Sequence, residues 1–166
     1  MGKEKSVTLD RMKKEDVDEV LKIEQASFSM PWSRNLFLSE FRSPSVSYPL
    51  VALLDGPDRT IVGFIVFWLV KDEMHILNLA VPPAFRRQGI ARKLVLTAVR
   101  LAYRKGAARA FLEVRASNVA AQKLYSSLGF AGTSMRRQYY DSPVEDAVVM
   151  TLERGEFEKL ARQNNA

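Results

Sequence analysis

The stretch Arg86-Arg87-Gln88-Gly89-Ile90-Ala91 lies between a predicted strand and a predicted helix. A helix N-terminus presents backbone N–H groups without intrahelical partners and the positive end of the helix dipole. Gly89 has no Cβ and Ala91 has the smallest one, so a pyrophosphate can come close to the backbone there. The stretch matches neither G-x-x-x-x-G-K-[ST] nor G-x-G-x-x-G. Taken alone, it is explained slightly better by an ordinary strand-to-helix turn with surface arginines.

The region around this loop is strongly basic. Residues 74–112 contain eight Lys or Arg residues and no Asp or Glu, whereas the remainder of the chain carries 17 basic and 19 acidic residues. A cationic region attracts a polyanion, either a phosphate-rich cofactor or a nucleic acid, but it can also be a solvated helix face. The charge distribution leaves these alternatives about even.

The composition excludes several classes of protein. The chain has 166 residues, enough for one domain with a single core, and 47% of them are hydrophobic. It has no cysteine and one histidine, His75, so we expect no disulfide, no thiolate metal site and no bound metal. No apolar run approaches transmembrane length, and the N-terminus lacks a hydrophobic signal core. We therefore expect a cytoplasmic protein with no membrane contact.

Hydrophobic periodicity, followed outward from the loop, predicts seven strands and five helices in the order βααβββαβαββα. Ser33 and Asn118 are predicted helix N-caps, and Gly129 is a predicted C-cap. This order indicates an α/β fold with a mixed sheet and helices on both faces. The predicted strands are Val7–Arg11, Tyr48–Leu54, Ile61–Val70, Met74–Val81, Ala110–Val114, Ala131–Tyr139 and Asp146–Leu152. The predicted helices cover residues 15–28, 33–41 and 90–104, the segment that follows Asn118, and a short charged C-terminal segment.

Several motifs together resemble a known family. Asn78-Leu79-Ala80-Val81-Pro82, followed by the loop, resembles the acetyl-CoA motif [QR]-x-x-G-x-[GA] of the GNAT superfamily. Leu112-Glu113-Val114-Arg115-Ala116-Ser117-Asn118, Pro31-Trp32 and Arg136-Arg137-Gln138-Tyr139-Tyr140 resemble the RimI-type ribosomal-protein alanine N-acetyltransferases. The resemblance runs from about Val7 to Leu152. It implies a GNAT fold with a mostly antiparallel seven-stranded sheet and one domain over residues 1–154. The family pattern does not explain the charged segment over residues 155–166, which we predict to be a helical extension.

The resemblance also implies an acetyl-CoA site. The backbone of Leu79, Ala80 and Val81 would pair with the acetyl and pantetheine arm like an added strand. The pyrophosphate would be held by Arg87, Gln88, Gly89, Ile90, Ala91 and Arg92. Asn118 would hydrogen-bond the pantetheine side. Ala91 stands where glycine is commoner in the motif, and the motif tolerates this difference.

Two residues match the family's acid and base, namely Glu113 as the base and Tyr125 as the acid. Because Glu113 lies on a largely apolar strand, we predict that partial desolvation raises its pKa toward that of an α-ammonium, about 7.7–8.0. A lysine ammonium, near 10.4, would cost roughly 2.5 further pKa units, which favours an α-amine substrate. The alternatives are that Tyr125 is a core aromatic and that Glu113 is an edge-strand carboxylate paired with an arginine. His75 is predicted to be structural.

The leading hypothesis is acetylation of an N-terminal amine, by resemblance that of an alanine on small-subunit ribosomal protein number eighteen. Pro31, Trp32, Tyr139 and Tyr140 are candidate walls of a peptide groove, although the first pair is also a helix boundary and the second pair can be sheet aromatics. A small amine or another protein N-terminus is the alternative substrate. A catalytically silent acyl-CoA-binding or RNA-binding module is a further alternative. We expect a monomer or weak homodimer with no direct nucleic-acid contact.

Overall fold

The structure is a computed structural model that describes residues 6–164. Within that range it contains seven strands and five α-helices in the predicted order, βααβββαβαββα. The strands are β1 (Val7–Arg11), β2 (Ser47–Leu54), β3 (Thr60–Val70), β4 (Glu73–Ala80), β5 (Arg109–Arg115), β6 (Ala131–Asp141) and β7 (Val144–Leu152). The helices are α1 (Val17–Ser27), α2 (Arg34–Ser39), α3 (Ile90–Arg104), α4 (Val119–Ser127) and α5 (Arg154–Ala161).

The seven strands form one mixed sheet in the order β1-β2-β3-β4-β5-β7-β6. β1 pairs antiparallel with β2, and β7 pairs antiparallel with both β5 and β6, whereas β4 and β5 are parallel. A parallel pair needs a crossover connection, and α3 lies in the chain between β4 and β5. The predicted α/β class with a mostly antiparallel seven-stranded sheet is confirmed. Because β5 is an interior strand, the edge position in the alternative reading of Glu113 is wrong, whereas its pairing with an arginine is found, with Arg136 at 3.6 Å.

The described chain forms two compact units, residues 6–67 with 78–97, and residues 68–77 with 98–164. In the first unit, α1 and α2 contribute buried apolar side chains to the core. Phe37 of α2 meets Phe64 of β3 edge-on, with ring centroids 5.5 Å apart, and both rings are fully buried. Gly63 on β3 allows α3 to pack closely, because a Cβ there would lie 3.1 Å from the Leu94 side chain and 3.3 Å from the Ala80 carbonyl oxygen. This close packing places the first turn of α3 beside the end of β4.

The second unit is built around β5. Its residues alternate, with Ala110, Leu112 and Val114 buried and the residues between them half-buried on the opposite face. Gly129, which follows α4, has a φ of +100°, and a Cβ there would lie 3.2 Å from Leu152. Glycine is required at this position by both the backbone conformation and the packing.

Some boundaries differ from those predicted. The first helix is predicted from residue 15, but a 3₁₀ turn occupies Lys14–Asp16 and α1 begins at Val17. Similarly, α2 ends at Ser39 and a 3₁₀ turn covers Glu40–Arg42. The C-terminal helix forms as α5, in which Phe157 and Leu160 are buried. The division of the chain into a domain and an extension at residue 154 stays a prediction.

Candidate active site

The loop before α3 has an unusual backbone. Arg87 has a φ of +62° and Gly89 a φ of +77°, both in the left-handed region. The Gly89 carbonyl accepts the first helical hydrogen bond, from the Lys93 N–H at 3.0 Å, so the N–H groups of the three residues before Lys93 have no intrahelical acceptor. A Cβ on Gly89 would meet nothing within 4 Å. The loop therefore offers open space, backbone donors and the exposed side chains of Arg87 and Arg92, which together fit a pyrophosphate.

Arg86 has a structural role that its sequence position does not reveal. Its Nε donates to the Val81 carbonyl at 2.9 Å, and its guanidinium reaches the Ser27 hydroxyl of α1 at 3.4 Å. The side chain thus ties the loop to the segment just after β4. Ala80 and Val81 are buried and Leu79 is half-buried. The Val81 carbonyl, which is one of the groups expected to pair with the pantetheine arm, therefore already accepts a hydrogen bond from Arg86.

A buried carboxylate connects the other candidate residues of this unit. Glu24 on α1 is 1% exposed, and it accepts hydrogen bonds from the Trp32 backbone N–H at 2.9 Å and from the Asn78 side-chain amide at 2.8 Å. Desolvation raises the pKa of Glu24, because its two hydrogen-bond donors are neutral and offset burial only in part. Glu24 therefore holds the segment between α1 and α2 to β4, one residue before Leu79.

That segment carries the predicted Pro31-Trp32 pair. Pro31 is exposed, whereas Trp32 is half-buried and packs against Phe37 with ring centroids 5.1 Å apart. The predicted N-cap forms, since the Ser33 hydroxyl accepts from the Leu36 N–H at 3.1 Å. Three apolar side chains that sequence reasoning missed extend the exposed apolar surface of this segment: Phe28, Met30 and Leu36. Their signal was a run of large apolar residues at the end of one helix and the start of the next.

Glu113 lies at the centre of a charged cluster in the second unit. Its Oε2 is 2.7 Å from Nε2 of His75 on β4, and its Oε1 is 3.6 Å from the Arg136 guanidinium on β6. The Glu113 side chain is 9% exposed. The His75 ring stacks on Phe111 with centroids 4.3 Å apart. Glu113 is therefore paired on two sides, with the shorter contact to the imidazole.

The predicted rise in the pKa of Glu113 is wrong. The hydrogen bond with His75 lowers the pKa of this carboxyl, and the charges of His75 and Arg136 add to the effect against desolvation. A lowered pKa makes the carboxylate alone a weaker base than an unperturbed glutamate. Its capacity to take a proton from an ammonium therefore depends on its partners.

The sequence did not predict the contact between His75 and Glu113. In the parallel register His75 lies opposite Phe111, and residues two apart on a strand share a face, so His75, Phe111 and Glu113 meet on the same side. The contact follows from the parallel pairing of β4 with β5 and from the alternation of side chains between the two faces of each strand. Without knowledge of which strands are neighbours, His75 resembled a structural strand residue.

Tyr125 and Asn118 lie on and before α4. Tyr125 is 5% exposed and packs against Phe130 with ring centroids 5.3 Å apart, and burial strongly raises the pKa of its phenol. This environment suits a core aromatic and also a phenol that keeps its proton, so the acid role stays a prediction. Asn118 is exposed, and its side-chain oxygen caps α4 by accepting from the Ala121 N–H at 3.2 Å. That oxygen keeps a second lone pair and the amide nitrogen two hydrogens, so a contact with pantetheine is compatible with the cap.

Tyr139 and Tyr140 lie on β6 beside the charged cluster. Their rings meet edge-on with centroids 5.1 Å apart, Tyr139 is 47% exposed, and the Arg136 guanidinium lies 5.6 Å from its ring centroid. Tyr140 is half-buried under Arg115, 4.2 Å from the ring, and burial raises its pKa to about 12. Because Arg136 contacts both Glu113 and Tyr139, the structure brings Tyr139 to the edge of the Glu113 cluster.

Two other kinds of site are absent from the described residues. Between residues 6 and 164, no three His, Asp or Glu side chains are grouped so that they could hold a metal ion. Over the same range, no helix has the length and apolar character needed to cross a membrane.

Residues 17–130 match the acetyltransferase (GNAT) family, and the chain belongs to that family. A ribosomal protein bS18-alanine N-acetyltransferase of Haemophilus ducreyi (strain 35000HP / ATCC 700724) is 34% identical over 147 residues, covering 87% of this chain and 98% of the relative. The crystal structure of the ribosomal-protein-S18-alanine N-acetyltransferase from Escherichia coli superposes with a TM-score of 0.79 at 32% identity, covering 90% of this chain and 94% of that one. The NatC complex bound to Gag peptide and CoA has a chain that superposes with a TM-score of 0.76 at 25% identity, covering 89% and 98%.

Proposed function

We propose that this protein transfers an acetyl group from acetyl-CoA to the N-terminal α-amine of a protein, and that the substrate is the N-terminal alanine of ribosomal protein bS18. The observation that carries this proposal is the similarity to a ribosomal protein bS18-alanine N-acetyltransferase, which covers 87% of this chain and 98% of that relative. The solved relative bound to both a peptide and CoA supports a peptide amine and a CoA thioester as the two reactants.

We propose that the loop before α3 holds the pyrophosphate of acetyl-CoA. The support is the open space at Gly89, the N–H groups at the start of α3, and the exposed guanidinium groups of Arg87 and Arg92. When bound, acetyl-CoA supplies the acetyl group as an activated thioester. The chain's own contribution is to orient this group and to manage two protons, one that leaves the ammonium and one that the departing thiolate needs.

For those protons we propose Glu113 as part of the base and Tyr125 as the acid. Glu113 stays ionised because its pKa is lowered, so it can draw a proton toward the cluster that it shares with His75. Tyr125 keeps its proton because burial raises its pKa, so it remains a hydrogen-bond donor throughout the physiological pH range. We propose Pro31, Trp32, Tyr139 and Tyr140 as peptide contacts, on the basis of the exposed apolar and aromatic surface around each pair.

The cofactor proposal is tested by isothermal titration calorimetry with acetyl-CoA. Gly89→Glu places a side chain and a negative charge in the proposed pyrophosphate space, and we expect binding to be lost. Gly106→Glu is a matched control, because Gly106 also has a positive φ, +98°, and a Cβ there would likewise meet nothing within 4 Å. Unchanged affinity in Gly89→Glu would place the cofactor elsewhere.

The substrate proposal is tested by competition at neutral pH. The three acceptors are a peptide with the N-terminal sequence of bS18, the same peptide blocked at its N-terminus but carrying a lysine, and spermidine. We expect the free alanine N-terminus to be acetylated at the highest rate. A dominant rate on the blocked lysine peptide or on spermidine would reject the α-amine assignment, and thiol release without transfer to any acceptor would reject a productive transferase.

A further inference from the structure

Glu113 alone is poorly matched to the task of a base for an ammonium. An α-ammonium has a pKa of about 7.7–8.0 and an ordinary glutamic acid about 4.3, so direct transfer is uphill by roughly 3.5 pKa units. The contacts of Glu113 with His75 and Arg136 stabilise the carboxylate further and widen that difference. An ordinary imidazole, with a pKa of about 6.5, is closer to the ammonium by roughly 2 units.

We propose that His75 and Glu113 form a base dyad in which the proton taken from the substrate ammonium is held on the His75 imidazole. This inference rests on the proposed function and assigns His75 a catalytic role in it. The geometry that carries it is the 2.7 Å contact between Nε2 and the carboxylate, together with a ring stacked on Phe111 at 4.3 Å and 15°. The contact and the stacking hold the imidazole in one orientation.

The hydrogen-bond pattern assigns the two ring nitrogens. An ionised carboxylate only accepts hydrogen bonds, so Nε2 must carry the hydrogen in the neutral ring, and Nδ1 holds the free lone pair. In the proposed step one N–H bond of the substrate ammonium breaks, and its electron pair stays on the amine nitrogen. The proton bonds to Nδ1, which gives an imidazolium facing a carboxylate. Glu113 remains ionised throughout and stabilises the charge that forms.

Among the charged groups around His75, Glu113 has the strongest influence on the imidazole. Nearby on the strands β4 and β7, Glu73 lies 3.7 Å from Arg109, and Glu145 lies 3.5 Å from Arg115, so each of these carboxylates has its own cation.

Arg136 opposes protonation of His75, but its side chain is 55% exposed and solvent screens its charge. Tyr140 lies within the field of Glu113 and stays neutral, because burial raises its pKa to about 12. The closest charge to the imidazole in the cluster is therefore the carboxylate of Glu113.

The first test needs no substrate, because His75 is the single histidine of the chain. In untagged protein, one imidazole resonance can be followed by NMR against pH without assignment. We expect Glu113→Gln to move the midpoint of this titration to lower pH, because the stabilising carboxylate is gone. Glu73→Gln removes the same charge from β4 two residues away and should leave the midpoint in place. An unchanged midpoint in Glu113→Gln would overturn the dyad.

The second test separates holding a proton from holding Glu113 in place. His75→Gln keeps an N–H donor for the carboxylate but cannot accept a proton at neutral pH. We expect kcat at pH 7 to fall by about 10²-fold or more, and the acid limb that the dyad predicts for the wild-type kcat/KM profile to disappear. An unchanged kcat with the same acid limb would show that His75 only positions Glu113 and would overturn the proposal.

The proposed function and this inference fail in different ways. If the wild type ignores the alanine peptide and acetylates spermidine, the α-amine assignment fails, and the pH profiles of wild type and His75→Gln are then compared on spermidine. If the alanine peptide is the preferred substrate and His75→Gln matches the wild type at every pH, the proposed function stands and the dyad fails.

Discussion

Two glutamates, one in each compact unit, illustrate how partners decide the behaviour of a buried carboxylate. Glu24 on α1 is buried against two neutral donors, the Trp32 N–H and the Asn78 amide, and its pKa is raised. Glu113 on β5 is half-buried against His75 and Arg136, and its pKa is lowered. Burial disfavours the charge in both places, but only the second has partners that can carry a positive charge. Desolvation therefore acts on both carboxyls, but their partners leave one that resists ionisation and one that resists protonation.

The difference supports separate roles for the two carboxylates, a structural one for Glu24 and the proposed catalytic one for Glu113. Glu24 joins the segment between α1 and α2 to β4, and its neutral partners have no proton to exchange near neutral pH. Glu113 contacts an imidazole, which can both donate and accept a proton, and its own charge is preserved because its pKa is lowered. We expect substitutions at Glu24 to change stability and substitutions at Glu113 to change turnover.

The largest expected effect is that of Glu113→Gln on turnover. The amide keeps the shape of the side chain but removes the charge that orients His75 and stabilises an imidazolium. We expect kcat to fall by about 10³-fold, which corresponds to roughly 4 kcal/mol in activation free energy. Steady-state rates with the alanine peptide measure this effect, and Glu73→Gln is the control. A loss of less than tenfold would show that Glu113 has no catalytic role, and the two carboxylates would then not differ in function.

Glu24→Ala should instead affect the free energy of unfolding. The substitution leaves the Trp32 N–H and the Asn78 amide without their acceptor, and each buried unpaired donor costs about 1–3 kcal/mol. We expect a net loss of about 3 kcal/mol in chemical denaturation, since removal of a desolvated carboxylate offsets part of the cost. Glu19→Ala, at an exposed position on the same helix, should stay within about 0.5 kcal/mol of the wild type. Equal stability of the two variants would mean that Glu24 does not connect the two segments.

Local signals predicted most of the fold. The order of all twelve elements follows from periodicity, and the caps at Ser33 and Asn118 form as their residue types indicate. The motifs also identified the loop before α3 as a place where a ligand can approach the backbone closely, and Gly89 has open space around it. Each of these features depends on residues only a few positions apart, which is the range over which sequence patterns are informative.

The two glutamate environments could not be predicted in the same way. Glu113 meets His75 across 38 residues, and Glu24 meets Asn78 across 54. Both contacts depend on which strand or helix is the neighbour of which, and this is a property of the sheet order. A strand rich in apolar residues predicts desolvation, but it does not show whether a cation lies opposite. For that reason the direction of the pKa shift of Glu113 was predicted wrongly.

Tyr125→Phe tests a titratable group for which burial acts without a charged partner. Desolvation alone raises the pKa of the phenol, so its proton is retained and available as a donor. We expect kcat to fall by about 10²-fold while acetyl-CoA affinity and the unfolding transition stay unchanged. Tyr103→Phe removes a hydroxyl that accepts from Arg162 and should leave kcat unaffected. A wild-type rate in Tyr125→Phe would make Tyr125 a core aromatic.

The smallest expected effect is a pair of opposite slopes in the pH dependence of stability. Glu24 has a raised pKa, so the folded state binds a proton more tightly than the unfolded state, and its contribution falls as pH rises from the unfolded pKa through the folded one. Glu113 has a lowered pKa, so its contribution is present above the unfolded pKa and is lost as pH falls through the folded one.

Glutamine does not titrate, so each Glu→Gln variant removes one of these two contributions. Relative to the wild type, Glu24→Gln should therefore gain stability as pH rises from about 4 toward neutral, and Glu113→Gln should lose stability as pH rises over the acid side of the same range. A difference of one pKa unit between the folded and unfolded states corresponds to about 1.4 kcal/mol, so denaturant titrations at closely spaced pH values resolve the slopes. The pH range must stay above that at which either variant unfolds without denaturant. Parallel curves for the two variants would contradict the opposite shifts and would remove the physical basis for assigning the two carboxylates different roles.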